Sequence, residues 1–211
     1  MIMQTKVVKV TEDIKKDENV YEESGRILRE GGLVAFPTET VYGLGGNGLD
    51  PDASRKIYAA KGRPSDNPLI VHIAGIDALS ELACEVPEAA YRLAEAFWPG
   101  PLTMILNKSD KVPKATTGGL DTVAIRMPSD PVAAALIRLS GVYVAAPSAN
   151  ASGRPSTTKA EHVIEDLDGK IDVIIDGGAS DIGLESTIVD LTGEVPLILR
   201  PGYISAEQLA E

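Results

Sequence analysis

Hydrophobic and polar positions along the chain follow two periods in turn. Short apolar runs read as strands at Val7–Val10, Leu33–Phe36, Leu69–Ile73, Leu102–Leu106 and Thr122–Arg126, that at Leu33–Phe36 buried. Further runs lie at Val142–Ala145, Val173–Ile175, Ser186–Leu191 and Leu197–Arg200. Helical spacing separates them. Val20, Ser24, Ile27 and Leu28 share one face of a helix that stops at Gly31-Gly32. Asp50-Pro51 caps and opens a helix through Ala60. Pro87 opens another, with Ala90, Tyr91, Ala94, Phe97 and Trp98 on its inner side, ended by Pro99-Gly100. Asp130-Pro131 starts a helix with Val132, Ala135, Leu136 and Leu139 inward. Thr158-Lys-Ala-Glu161 has the form of a capping box before Ala160, Val163, Ile164 and Leu167.

About eight strands interleaved with about five helices predict an α/β fold: one twisted sheet flanked by helices. Strands that follow one another without a helix, near 102–126 and 173–200, make the sheet mixed. No repeat or linker divides the chain, so residues 1–211 read as a single domain. The 20 glycines and 14 prolines gather in loops at strand ends, where α/β sheets place ligands.

Composition narrows the class. A hydrophobic fraction of 44% with 24% charged residues excludes a disordered chain. The longest apolar stretches, such as Val142–Ala146, fall far short of the roughly 20 residues of a membrane span. Met1–Val20 lacks the apolar run of a secretory signal. Cys84 has no partner for an internal disulfide; its apolar neighbours predict a buried, inert thiol and a cytoplasmic protein. The net charge of −11 disfavours nucleic-acid binding by the surface as a whole. One island runs the other way: Pro51–His72 carries Arg55, Lys56, Lys61 and Arg63 against Asp52 and Asp66.

Gly43-Leu-Gly-Gly-Asn-Gly48 has the spacing of a dinucleotide fingerprint but not its strand–turn–helix setting, and reads as a tight turn with positive φ. No P-loop, nucleophile elbow or metal-ligand cluster is present, and the two histidines, His72 and His162, stand alone. Lys61-Gly-Arg63 places two cations on a proline-stiffened loop just past a helix end. Lys61 alone would suit the helix dipole; the pair suits polyphosphate, with Arg63 as a bidentate fork and Lys61 as a point charge. Pro147-Ser148-Ala-Asn150 follows a buried strand and offers a hydroxyl and an amide; Gly153, Ser156 and Thr157 extend this small polar stretch, which is typical of phosphate cradles. By spacing alone, His72 reads as a core histidine bonded to backbone, His162 as solvated, and Ser186-Thr187 as hydroxyls needing partners at a strand end.

Taken in order, seven blocks resemble the YrdC-like L-threonylcarbamoyladenylate synthases. They are Ala35-Phe-Pro-Thr-Glu-Thr-Val-Tyr-Gly-Leu-Gly, Lys61-Gly-Arg-Pro-Ser-Asp-Asn-Pro-Leu, Pro99-Gly-Pro-Leu-Thr, Val123-Ala-Ile-Arg-Met-Pro, Pro147-Ser-Ala-Asn-Ala-Ser-Gly, Ser186-Thr-Ile-Val-Asp and Leu199-Arg-Pro-Gly. The resemblance runs from about residue 20 to residue 203. It implies a concave, positively charged cleft on a YrdC-like fold, and an enzyme taking L-threonine, bicarbonate and ATP to threonylcarbamoyl-adenylate and pyrophosphate. The product would serve the threonylcarbamoyl modification of adenosine 37 in tRNA, with hand-over to a tRNA threonylcarbamoyltransferase complex. The family quartet corresponds to Lys61, Arg63, Ser148 and Asn150. By the same resemblance, ATP is expected on Lys61, Arg63, Asn67, Thr122, Ser148, Ser156 and Arg200. L-Threonine is expected on Thr40, His72, Arg126, the Ala146 backbone and Ser186, which makes His72 a ligand residue. Magnesium is expected on the ATP phosphates, without a protein ligand that can be named. Two rival readings use the same cleft: a double-stranded RNA-binding module, whose binding the acidic balance would keep weak, and a paralogue acting on a different acid. Longer family members carry a second domain, so a natural short form and the catalytic part of a longer protein are both open.

Overall fold

A computed structural model describes residues 4–11 and 13–210; Met1–Met3, Glu12 and Glu211 of the expected 1–211 domain lie outside the described residues. The strands are β1 (Lys6–Lys9), β2 (Val34–Phe36), β3 (Gly43–Asn47), β4 (Ile70–His72), β5 (Leu102–Asn107), β6 (Thr122–Arg126), β7 (Val144–Ala145), β8 (Val173–Asp176), β9 (Thr187–Asp190) and β10 (Leu197–Arg200). The α-helices are α1 (Glu18–Arg29), α2 (Pro51–Lys61), α3 (Leu79–Leu82), α4 (Glu88–Phe97), α5 (Pro131–Ser140), α6 (Ala160–Leu167) and α7 (Ala206–Ala210). All ten described strands join one sheet in the order β1-β8-β2-β3-β7-β4-β6-β5-β9-β10. Parallel pairs such as β4–β6 stand beside antiparallel pairs such as β5–β6, so the twisted sheet is mixed, as the helix-free connections predict.

The two faces of this sheet are covered unequally, and that creates the site. Alternate residues of a strand point to opposite faces. Val34, Phe36, Val173 and Ile175 pack with α1 and α5 on one face. Ala35 and Ile174 pack with α2 and α6 on the other. The second cover continues past β7, where Val71, Ile125 and Met104 pack with α3 and α4. The first cover ends at Val144. On that face His72, Arg126 and Thr103 stand side by side in register on β4, β6 and β5, with Ile70, Ala124 and Ile105 in the next row.

The predicted caps of α2 and α5 are present: Asp50 accepts from the Asp52 amide, and Asp130 Oδ1 accepts from Val132 at 2.8 Å and Ala133 at 3.0 Å. Four expectations fail. Gly43–Asn47 is a strand, not a positive-φ turn. Its glycines answer to packing: a Cβ on Gly45 would stand 2.8 Å from both Phe36 and Val144 side chains. The Thr158–Glu161 capping box does not form; Lys159 is the N-cap of α6, with no side-chain cap bond. Cys84 is exposed because the residue lies just beyond the buried Leu82-Ala83 pair, past the end of α3. Tyr91 is also exposed, since α4 turns Ala90 and Ala94 to the core instead.

Asp130 yields a pH-dependent prediction. Burial pushes its carboxyl up to about 6, with Glu39 and Asp181 adding to the rise and the cap amides opposing it. An acid whose folded pKa is raised loses stability as pH climbs through the interval between its unfolded and folded values. Asp130→Asn keeps a capping oxygen without the charge. Thermal melts should therefore show the variant gaining on the wild type from about pH 4 to about pH 6, with a constant difference above. Asp130→Ala, which loses the cap as well as the charge, should lie about 1 kcal/mol below Asp130→Asn at any pH.

Candidate active site

The uncovered face lines a cavity of about 220 Å³. Nine of the thirteen site residues expected from sequence line it: Thr40, Arg63, Asn67, His72, Arg126, Ala146, Ser148, Ser186 and Arg200. Thr122 is on the same face of β6 as Ala124 and Arg126, one pleat outside the lining. Ser156 reaches the cavity through Glu185, whose Oε1 accepts from its hydroxyl at 2.7 Å. Lys61 and Asn150 stand behind the wall.

At the inner end, Arg126 is 4% exposed. Its Nη1 donates to Thr40 Oγ1 at 2.9 Å, and Nη2 lies 2.7 Å from Glu39 Oε1. Thr38 shapes the segment that delivers these residues: its hydroxyl donates to the Val41 carbonyl at 2.6 Å and faces the amides of Thr40 and Val41. Burial pushes the Glu39 carboxyl up, but the Arg126 guanidinium and the backbone amides of Glu39 and Ser129 together outweigh it, and the group lies below the usual carboxylate range. His72 is held by a bond from Nδ1 to the Ile70 carbonyl at 3.1 Å. A carbonyl can only accept, so Nδ1 carries the proton and Nε2 is left as an acceptor. Burial, with Arg126 beside it, brings the imidazole down to about 3, so His72 is neutral. His72 is buried and bonded to backbone, as its spacing predicts, and it also faces the cavity.

At the other end, Gly62 ends α2 with a φ of 63°, and this turn sends neighbouring cations in opposite directions. Arg63 faces the cavity, donating to the Asn67 and Pro68 carbonyls at 3.3–3.4 Å. Lys61 turns inward. Its ammonium donates to the carbonyls of Ser148 and Asn150 and, at 3.3 Å, to Asn150 Oδ1. Those three bonds use all three donors of a lysine. Ser148 donates to Asn150 Oδ1, which joins Lys61, Ser148 and Asn150 in one network and leaves Arg63 outside it. Arg200 donates to the Ser186 carbonyl at 2.9 Å and hydroxyl at 3.1 Å, and Ser186 meets Thr103 at 2.8 Å. Thr187 finds its partner in the Ile204 carbonyl at 2.6 Å.

Sequence reasoning left Glu39, Glu185, Ile105 and Ile188 out of the site. The first two were legible as acids inside otherwise small or apolar blocks; the isoleucines required the strand register. His162 is solvated, as expected.

Residues 26–202 match the model of the family designated Sua5, YciO and YrdC and described as telomere recombination. The chain belongs to that family. Relatives in the Sua5/YciO/YrdC family carry the name threonylcarbamoyl-AMP synthase. The protein of Pyrococcus abyssi is 60% identical over 182 residues, covering 86% of this chain and 54% of the relative. That of Bacillus subtilis is 55% identical over 203 residues, covering 96% and 59%. The chain thus spans little more than half the length of these relatives. The fold matches the crystal structure of P. abyssi Sua5 complexed with L-threonine, with a TM-score of 0.95 at 56% identity, over 97% of this chain and 60% of that one. No helix among the described residues is long and apolar enough to cross a membrane.

Proposed function

We propose that the protein is an L-threonylcarbamoyladenylate synthase, a nucleotidyltransferase of the cytoplasm that makes threonylcarbamoyl-AMP and pyrophosphate from L-threonine, bicarbonate and ATP. The observation that carries this is the division of one cleft into two chemically different ends. A buried arginine paired with Glu39 and bonded to Thr40 forms the inner end; Arg63 and Arg200, which make no ion pair among the described residues, flank the outer. Similarity to a P. abyssi protein crystallised with L-threonine supports the same assignment.

The threonine carboxylate is placed against Arg126, with Thr40, Ser186 and the Ala146 backbone around the rest of the amino acid. His72 Nε2 accepts a hydrogen bond there. The amine adds to carbon dioxide from bicarbonate, giving a carbamate and a proton. A carbamate oxygen attacks the α-phosphorus, the bond to the β-phosphate oxygen breaks, and pyrophosphate leaves. Arg63 and Arg200 stabilise the charge that builds on the phosphates, while Ser148, Asn67, Thr122 and Ser156 orient the nucleotide. Lys61 and Asn150 shape the Ser148 loop. Positioning supplies much of the rate. Among the described residues no cluster of three or more His, Cys, Asp or Glu could hold a metal ion, and Glu185 is the sole carboxylate lining the cleft. That fits magnesium carried mainly by the triphosphate and water, with Glu185 the one side chain to hold it. Bound so, it neutralises phosphate charge. The product is then handed to a tRNA threonylcarbamoyltransferase complex.

Mass spectrometry of the reaction mixture tests the reading: threonylcarbamoyl-AMP should form from the three substrates, and AMP without the acyl adduct would contradict it. L-Threonine should be used about 10- to 200-fold better than L-serine, the range one methyl group gives in a fitted pocket. Equal use would point to a paralogue acting on a different acid. A short RNA duplex at physiological salt should bind weakly; tight binding with a steep salt slope would favour an RNA-binding module.

A further inference from the structure

Three guanidinium groups line the cleft, and their surroundings differ. Arg63 and Arg200 make no ion pair among the described residues; their donors go to carbonyls and the Ser186 hydroxyl. Glu185 lies near enough to Arg200 to attract it, but its Oε1 accepts from Ser156. Arg126 instead faces Glu39 at 2.7 Å, both side chains being more than nine-tenths buried. Glu39 does not line the cleft; it stands behind Arg126. Its carboxylate is held below the usual range by the charge and hydrogen bond of Arg126, helped by backbone amides. His72 beside them is neutral, its imidazole pushed down by burial and by Arg126. The Arg126–Glu39 pair at the floor of the inner end therefore carries no net charge; the cation that remains beside it is Arg200, which donates to Ser186 and lies near enough to Arg126 to be repelled by it.

We infer that Glu39 is a specificity-determining residue: by neutralising Arg126 it fits the inner end to a zwitterionic amino acid and turns away ligands of net negative charge. The inference rests on reading the inner end as the amino-acid site. A zwitterion brings no net charge into a buried site, and its carboxylate can still accept from the Arg126 N–H groups. A ligand with the carboxylate but no ammonium must give up its hydration without a net countercharge, which is costly. Discrimination of this kind comes from refusing the wrong ligand as much as from binding the right one. The same arrangement sends the highly charged triphosphate to Arg63 and Arg200, so the two substrates sort themselves by charge. Glu39 acts through Arg126 and touches neither substrate.

Calorimetric titration with L-threonine and with its α-hydroxy analogue, in which a hydroxyl replaces the ammonium, tests this. The wild type should prefer L-threonine by about tenfold or more, and Glu39→Gln should shift the ratio of the two affinities by about tenfold or more toward the hydroxy acid. Glu39→Asp, which keeps the charge, should keep the wild-type ratio even if both ligands bind more weakly. A variant that merely loosened the fold would weaken both ligands and leave their ratio alone. An unchanged ratio in Glu39→Gln would overturn the inference, as would equal affinities in the wild type, a result that needs no variant to fold. Failure of the wild type to bind L-threonine at all would overturn the amino-acid reading and this inference with it.

Discussion

Alanine in place of Arg63 should lower pyrophosphate release by about 100-fold or more and leave the melting temperature nearly unchanged. Little holds the fold together there. The guanidinium is part-exposed, and its contacts to the Asn67 and Pro68 carbonyls are long, at 3.3–3.4 Å. Water can replace it at those carbonyls. Lys61 cannot replace it at a phosphate, because its donors are committed elsewhere. Arg63→Lys should also be poor, since an ammonium cannot reproduce a bidentate fork. Near-normal turnover in Arg63→Ala would remove this residue from the phosphate site.

Lys61→Ala should behave differently: turnover and folding should fall together. The Lys61 ammonium is buried and its donors serve the Ser148–Asn150 loop. The Lys61 carbonyl also accepts from the Ser152 amide at 2.8 Å, so backbone and side chain tie down the same loop. Burial brings the amine down to about 8, with Arg63 contributing, which reflects how far the site is shielded from water. Alanine would leave buried acceptors unpaired, at about 1–3 kcal/mol each. The melting temperature should drop clearly, and Ser148 should lose its fixed place in the cleft. A Lys61→Ala variant with a wild-type melt and only a catalytic defect would return Lys61 to the role of a phosphate-binding point charge. Thermal melts and pyrophosphate release on the same preparations separate the two outcomes.

The contrast between these neighbours marks where sequence reading stops. Spacing located the pair and its glycine, and caps at Asp50 and Asp130 set the starts of two helices. Spacing could not tell that a left-handed Gly62 would point one cation into the cleft and the other behind it. The glycines of β3 misled for a related reason. Their small size serves Phe36 and Val144 across the sheet, and such contacts are invisible to a local pattern. The motif blocks named most of the cavity lining because those residues sit at strand ends. Glu39 escaped because its function lies in a partner 87 residues away. The ranking of faces, one covered throughout and the other left open beyond β7, depends on strand order, which alternation alone does not fix.

The central claim is that one cleft joins an amino acid, a carbon dioxide equivalent and ATP. Pyrophosphate release from ATP, measured with each other substrate omitted in turn, tests it most directly. Release should occur with L-threonine and bicarbonate together and fall to background when either is left out. Equal release without L-threonine, or without bicarbonate, would contradict the account.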